Sequence, residues 1–119
     1  MKNNQSHEKA IDLEFLRTTI ENDAEFEREL FKIFLENANR NLLKMEDAIK
    51  ENDNNSWYMA AHAFKGSSAS VGAFNLSEIL GYAQKHPEDN LDQKAETLRK
   101  VKEEFRLVLD FISAESLGK

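Results

Sequence analysis

The chain has 119 residues, 16 Lys+Arg against 22 Asp+Glu for a formal charge of -6, and no cysteine. That length holds one core and leaves no room for a separate catalytic domain, and the acidity repels the phosphate backbone that a general nucleic-acid binder must neutralise. Without thiols there is neither a disulfide nor a thiolate metal site, which fits a reducing compartment and makes the cytoplasm the expected location.

Residues 1–10 are polar and lack the apolar centre of a secretory signal, so they read as a disordered tail ahead of a single domain over residues 11–119. A short amphipathic helix follows from about Asp12, with Leu13, Leu16 and Ile20 at helical spacing, and ends before Asn22. Asn22 with Glu25 three residues on has the form of a capping box. It opens a long helix whose stripe is Phe26, Leu30, Phe34, Ala38, Leu42, Met45 and Ile49. The polar cluster from Asn52 to Ser56 is turn and N-cap chemistry.

A third helix carries Trp57, Ala60, Ala61, Phe64, Ser68 and Val71 on one face and reaches about Ser70, where Gly72 ends or kinks it. Phe74, Leu76, Ile79, Leu80 and Ala83 define a fourth helix. Pro87 terminates it, because the ring cannot continue the hydrogen-bond ladder. Asn90, with Gln93 three residues later, starts a last helix with Leu91, Ala95, Leu98, Val101, Phe105, Val108 and Ile112 inward. The expected fold is all-α: an antiparallel up-down-up-down four-helix bundle with an extra short N-terminal helix. No segment approaches the run of about 20 apolar residues that spans a bilayer, so no membrane partner is expected.

On the helical wheel His62 lies about 160° from Phe64, nearly opposite the buried stripe, and so faces outward. Lys65 and Gly66 follow at three and four residues, with Tyr58 one turn before and Ala69 two turns after. A glycine inside a helix costs about 1 kcal/mol relative to alanine, so its place beside an outward histidine points to close approach at the imidazole. Neutral imidazole is a nucleophile, and a lysine can offset the charge of a phosphoryl group. Spacing alone favours the plainer reading, an ordinary surface histidine beside a lysine.

The longer string Ala61-His62-Ala63-Phe64-Lys65-Gly66-Ser67-Ser68-Ala69-Ser70-Val71-Gly72 resembles the signature of histidine phosphotransfer (HPt) domains. Upstream, Ile11-Asp12-Leu13-Glu14 and Phe34-Leu35-Glu36-Asn37-Ala38 are similar to the family's opening helices, so the likeness covers about residues 11–113. It implies that His62 takes a phosphoryl group on Nε2 from a receiver-domain aspartate of a hybrid sensor kinase and relays it to the receiver aspartate of a response regulator. Lys65 would steady the group and Gly66 would admit the receiver. Gln84, on the fourth helix, would hydrogen-bond the ring, though as a residue it reads equally well as a solvated glutamine. No cofactor is implied in this chain, Mg²⁺ being expected on the receiver, and the protein would be a monomeric carrier rather than a free-standing enzyme. The alternative is an adaptor of the same fold that docks a receiver or kinase without being phosphorylated. Phe64 replaces the usual Leu, Asn39 stands where Pro is common, and Gly81 and Tyr82 stand where an acidic residue is common, a departure that bears on partner choice.

Leu35 and Tyr58, if near His62, would give an apolar patch for receiver docking. Trp57, Phe31, Ile33, Leu35 and Leu43 are expected to pack against the N-terminal helix. The acidic runs from Glu21 to Glu29 and at Glu103-Glu104 read as solvated faces. His7 and His86 have no second ligand at metal spacing, Ser67-Ser68 lacks a nucleophile elbow, and no Gly-rich phosphate loop is present, so neither a metal nor directly bound ATP is expected.

Overall fold

The computed structural model describes residues 9–117, so most of the expected tail, His7 included, lies outside the described residues, while Ala10 already packs on the core. The regular elements are five helices: α1 (Leu13–Thr19), α2 (Ala24–Lys50), α3 (Asn54–Ser70), α4 (Phe74–Lys85) and α5 (Leu91–Leu117). None is long and apolar enough to cross a membrane among the described residues.

Short polar side chains fix where the helices begin. The carboxylates of Asp12, Asp23 and Asp53 accept from the backbone N–H groups of Phe15, Phe26 and Ser56, each at 3.0 Å, and so satisfy donors that have no partner inside the helix. At α5 the expected capping box forms, with the Gln93 N–H donating to Asn90 Oδ1 at 2.8 Å and the Asn90 N–H to Gln93 Oε1 at 2.9 Å. The box expected at Asn22 and Glu25 does not. Asn22 has φ 60°, a left-handed conformation, whereas an N-cap needs extended backbone, which Asp23 supplies at φ -80°.

The ends of α1, α2 and α3 share one device. Glu21, Asn52 and Gly72 stand just past the helix in the left-handed region, at φ 56°, 53° and 81°. Each turns the chain so that two N–H groups reach back to the last carbonyls, as where Asn52 donates to Ile49 at 3.2 Å and Asp53 to Ala48 at 2.9 Å. Asp53 and Ala73 are then both the last residue of one closing turn and the N-cap of the next helix. Such short links force successive helices antiparallel. Accordingly α2 packs on α3, α3 on α4, α4 on α5, and α5 back on α2, closing the four-helix bundle.

The core joins the helices at defined points. Phe34 of α2 and Phe64 of α3 both meet Phe105 of α5 edge-on, at centroid distances of 6.2 and 6.0 Å. Trp57 is buried and donates its indole N–H to the Ala83 carbonyl at 3.0 Å, tying α3 to α4. It faces α4 and α5 rather than the N-terminal helix. Ile33 and Leu43, expected to pack there too, are exposed instead.

Two expected stripes are wrong at one end each, for the same reason. Stepping back along α5 from Leu98 in helical register lands on Lys94, which is buried, while Leu91 and Ala95 face solvent. Stepping back along α2 from Phe34 and Phe31 lands on Glu27, which is 3% exposed, while Phe26 is 48% exposed. A periodic position held by a charge is easily passed over for a nearby apolar residue. Both charges are partnered: the Lys94 ammonium donates to Asn54 Oδ1 at 2.5 Å and lies 5.6 Å from the Trp57 ring centroid, and Glu27 is bound by Arg17.

Helix α1 closes the end of the bundle where α2 begins and α5 ends. Ile11 and Leu16 are fully buried, the Asp12 N–H donates to the Gly72 carbonyl at 2.9 Å, and Phe15 meets Phe74 edge-on at 5.0 Å. Arg17 binds Glu27 through Nε at 2.9 Å and Nη2 at 3.3 Å and Glu115 through Nη2 at 3.0 Å, so one guanidinium ties α1, α2 and α5. Gly72 is required on two counts. Its φ of +81° disfavours any side chain, and a Cβ there would stand 2.8 Å from the Asp12 carbonyl oxygen.

Candidate functional site

Helix α3 is built from small residues along much of its length, which lets α2 and α4 approach it closely while its fourth side stays open. His62 lies on that open side and is exposed, as its register requires. Tyr58, one turn before, stacks on it with ring centroids 6.0 Å apart and an interplanar angle of 10°.

From α4, Gln84 reaches the ring: its Oε1 lies 3.3 Å from His62 Nδ1. With the amide carbonyl facing the imidazole, the contact suits the tautomer in which Nδ1 bears the proton and donates a hydrogen bond to Gln84. The consequence is chemical. A neutral ring protonated on Nδ1 has its lone pair on Nε2, the nitrogen left clear of this contact.

Lys65 is half-buried, its carbonyl accepting from the Ser77 hydroxyl of α4 at 3.3 Å. Its methylenes run over Gly81, where an added Cβ would come within 3.8 Å of Cε and 3.9 Å of Cδ. No carboxylate is paired with its ammonium among the described residues. Gly66 differs from Gly72 in every respect. A Cβ built on it meets nothing within 4 Å, and its backbone is ordinary right-handed helix, so neither packing nor conformation requires glycine there. Its helix penalty is uncompensated within the chain.

Of the residues singled out from sequence, Tyr58, His62 and Gln84 are therefore joined by contacts, and Lys65, Gly66 and Ala69 continue the same side of α3 by helical register. Leu35 is placed elsewhere: it lines a groove with Phe31 and Lys32 of α2 and Ile112 of α5. Register explains this, since Leu35 lies on the flank of α2 turned toward α5 rather than α3. Ser77 was not anticipated at this site, and Gly81 was singled out only for its bearing on partner choice. A glycine in the middle of α4, held there at a helix penalty, was the available signal for the second.

His86 makes an instructive comparison. It too is exposed, it stacks on Tyr82 at a centroid distance of 3.9 Å, and its Nδ1 donates to the Tyr82 carbonyl at 2.8 Å. Next to it Asp89 accepts from the Tyr82 hydroxyl at 3.1 Å, an interaction that raises the phenol above its ordinary range, and Lys85 precedes His86 in the last turn of α4. The C-terminus of α4, where His86 stands, adds partial negative charge. No group of three His, Asp or Glu suited to a metal occurs among the described residues.

Fold and site together define a class: an antiparallel helical bundle that displays one histidine on its second long helix, with a lysine and a bare glycine one turn on. Residues 29–110 match the Hpt domain family. The chain belongs to that family, the histidine phosphotransfer domains of phosphorelays, which act as phosphotransfer carriers and interact with receiver domains. The crystal structure of histidine-containing phosphotransfer protein B (HptB) from Pseudomonas aeruginosa PAO1 is similar in fold, with a TM-score of 0.85 and 19% identity over 95% of this chain and 99% of that one. No curated protein matches the chain.

Proposed function

We propose that His62 is the phosphoacceptor, taking the group from a receiver-domain aspartyl phosphate of a hybrid sensor kinase and relaying it to the receiver aspartate of a response regulator. The observation that carries this reading is the Nδ1 contact with Gln84, which favours the tautomer with a nucleophilic Nε2. Nε2 attacks phosphorus, the Nε2–P bond forms as the acyl-phosphate P–O bond breaks, and the donor carboxylate departs with the electron pair. Nδ1 keeps its proton, and the Gln84 carbonyl accepts from the ring while it carries the added positive charge. In the second transfer an aspartate of the acceptor attacks phosphorus and the imidazole leaves.

Lys65 offsets the phosphoryl charge, and the clearance at Gly66 admits the receiver. The chain is a carrier that supplies a nucleophile on a rigid helix, with Mg²⁺ expected on the receiver. Incubation with a phosphorylated receiver is the test. It is expected to yield an acid-labile, base-stable adduct that His62→Gln abolishes, while His86→Gln retains it. An undiminished adduct in His62→Gln overturns the assignment, and signalling that survives His62→Ala in cells returns the reading to a docking adaptor.

A further inference from the structure

Gly81 stands eight residues into the 12-residue helix α4, where glycine is disfavoured by about 1 kcal/mol relative to alanine. Its backbone is not left-handed, so no turn demands it. A Cβ would meet only the Lys65 stem, at 3.8 Å and beyond, which is ordinary contact, so close packing does not demand it either. The stem of Lys65 lies over Gly81. The methylenes of that side chain cross α4 where the backbone is bare.

The placement has an electrostatic side. Lys65 lies one turn beyond His62, and its ammonium has no carboxylate partner among the described residues. An acidic side chain rooted at position 81 would begin within 4 Å of the lysine stem and reach its ammonium, pairing it before any phosphoryl group arrived. A long neutral side chain would crowd the stem without holding the charge.

We infer that Gly81 is a positioning residue for phosphoryl transfer: by offering Lys65 a bare surface and no counter-charge, it keeps the ammonium available to the group on His62. The inference rests on His62 being the acceptor. It adds a second helix to the determinants of the reaction, since the lysine's availability is decided on α4 as much as on α3.

Phosphoramidate is a suitable probe, because it phosphorylates imidazole without any receiver and so separates site chemistry from docking. Nε2 attacks phosphorus, the Nε2–P bond forms as the P–N bond breaks, and ammonia leaves, with Nδ1 keeping its proton. The initial rate of His62 labelling would be followed by ³¹P NMR for the unaltered chain, Gly81→Gln, Gly81→Glu, Lys65→Met and the double variant Gly81→Glu/Lys65→Met. Gly81→Glu is expected to slow labelling about fivefold, the size of one exposed ion pair, and Gly81→Gln by less than about twofold. The gap between them should close at about 1 M salt, where exposed charges are screened, a dependence that crowding alone would not produce.

The cycle supplies the second criterion. In the Lys65→Met background the glutamate should make no further difference, because the ammonium it captures is gone. Equal rates for Gly81→Glu and Gly81→Gln, or a full glutamate effect without Lys65, would overturn the inference. Failure of the unaltered chain to label on His62 would instead remove the acceptor assignment beneath it. Thermal melts identify any variant that has lost the fold, and both substitutions at position 81 raise helix propensity.

Discussion

Two exposed histidines, His62 and His86, make the same kind of Nδ1 contact, and what separates them is the charge around each. His62 is followed one turn on by a lysine with no carboxylate partner among the described residues, whereas His86 stands at a helix C-terminus beside a tyrosine that is bound to Asp89. An incoming phosphoryl group carries negative charge, so the first environment favours it and the second opposes it. Gln84→Leu removes the acceptor at Nδ1 while keeping bulk. It is expected to slow transfer several-fold and leave the melting temperature within a few degrees, since the pair is exposed. Rates measured against one phosphorylated receiver check this. Gly66→Ala is expected to act in opposite directions on two quantities: stability rises by about 0.5–1 kcal/mol through helix propensity, while receiver-dependent transfer falls because the clearance is filled. Urea denaturation and transfer kinetics on the same preparation read both.

Among the helices, capping and closing turns decide the boundaries, and here glycine has a different meaning. Gly72→Ala would put a side chain into a left-handed conformation and drive its Cβ to 2.8 Å from the Asp12 carbonyl oxygen, a backbone atom that cannot swing away. A loss of about 2–3 kcal/mol is expected by denaturant unfolding, opposite in sign to the alanine at position 66. Asp53 is a boundary residue of another kind. The Ser56 N–H and hydroxyl hold its carboxyl below the usual carboxylate range, so its contribution is complete above that range and disappears as pH falls through the lowered value. Asp53→Ala should therefore destabilise at neutral pH and by progressively less in acid, as urea unfolding at a series of pH values would read. The two ends of the bundle are set by such residues, and between them α3 is free to present His62.

For the molecule as a whole, the polar groups inside the bundle are as informative as its apolar core. Arg17 holds a buried glutamate of α2 and a glutamate of α5, so the clamp forms only when three helices that are far apart in sequence are assembled. Arg17→Met should cost about 2 kcal/mol, because Glu27 stays buried without its guanidinium, and a thermal melt measures it. Glu104 behaves oppositely. Burial pushes its carboxyl above the ordinary range despite a hydrogen bond from Asn75, and one of its oxygens has no hydrogen-bond partner among the described residues. The folded chain therefore holds that proton at pH values where the unfolded chain has released it. Stability is lost as pH rises through this window and is not recovered at neutral pH. Glu104→Gln is expected to raise the melting temperature by a few degrees at pH 7, with the advantage vanishing in acid.

The all-helical class, the five helices, the capping box at Asn90, the outward histidine and its lysine and glycine neighbours were legible in the chain, because each depends on residues within one or two turns of each other. Periodicity, capping and glycine placement are local properties, and local physics reads them. The order of helices followed as well, since links this short leave antiparallel packing as the available arrangement. Assembly alone decided the rest. Glu27 and Lys94 lie inside because Arg17 and Asn54 arrive from other helices to partner them, Leu35 faces α5 rather than the histidine because of how α2 is turned in the bundle, and Gly81 comes to lie under Lys65 only when α4 packs on α3. A pattern along one helix can tell which side is wet, but which neighbour waits on the dry side, and what charge it brings, is fixed only by contact between helices.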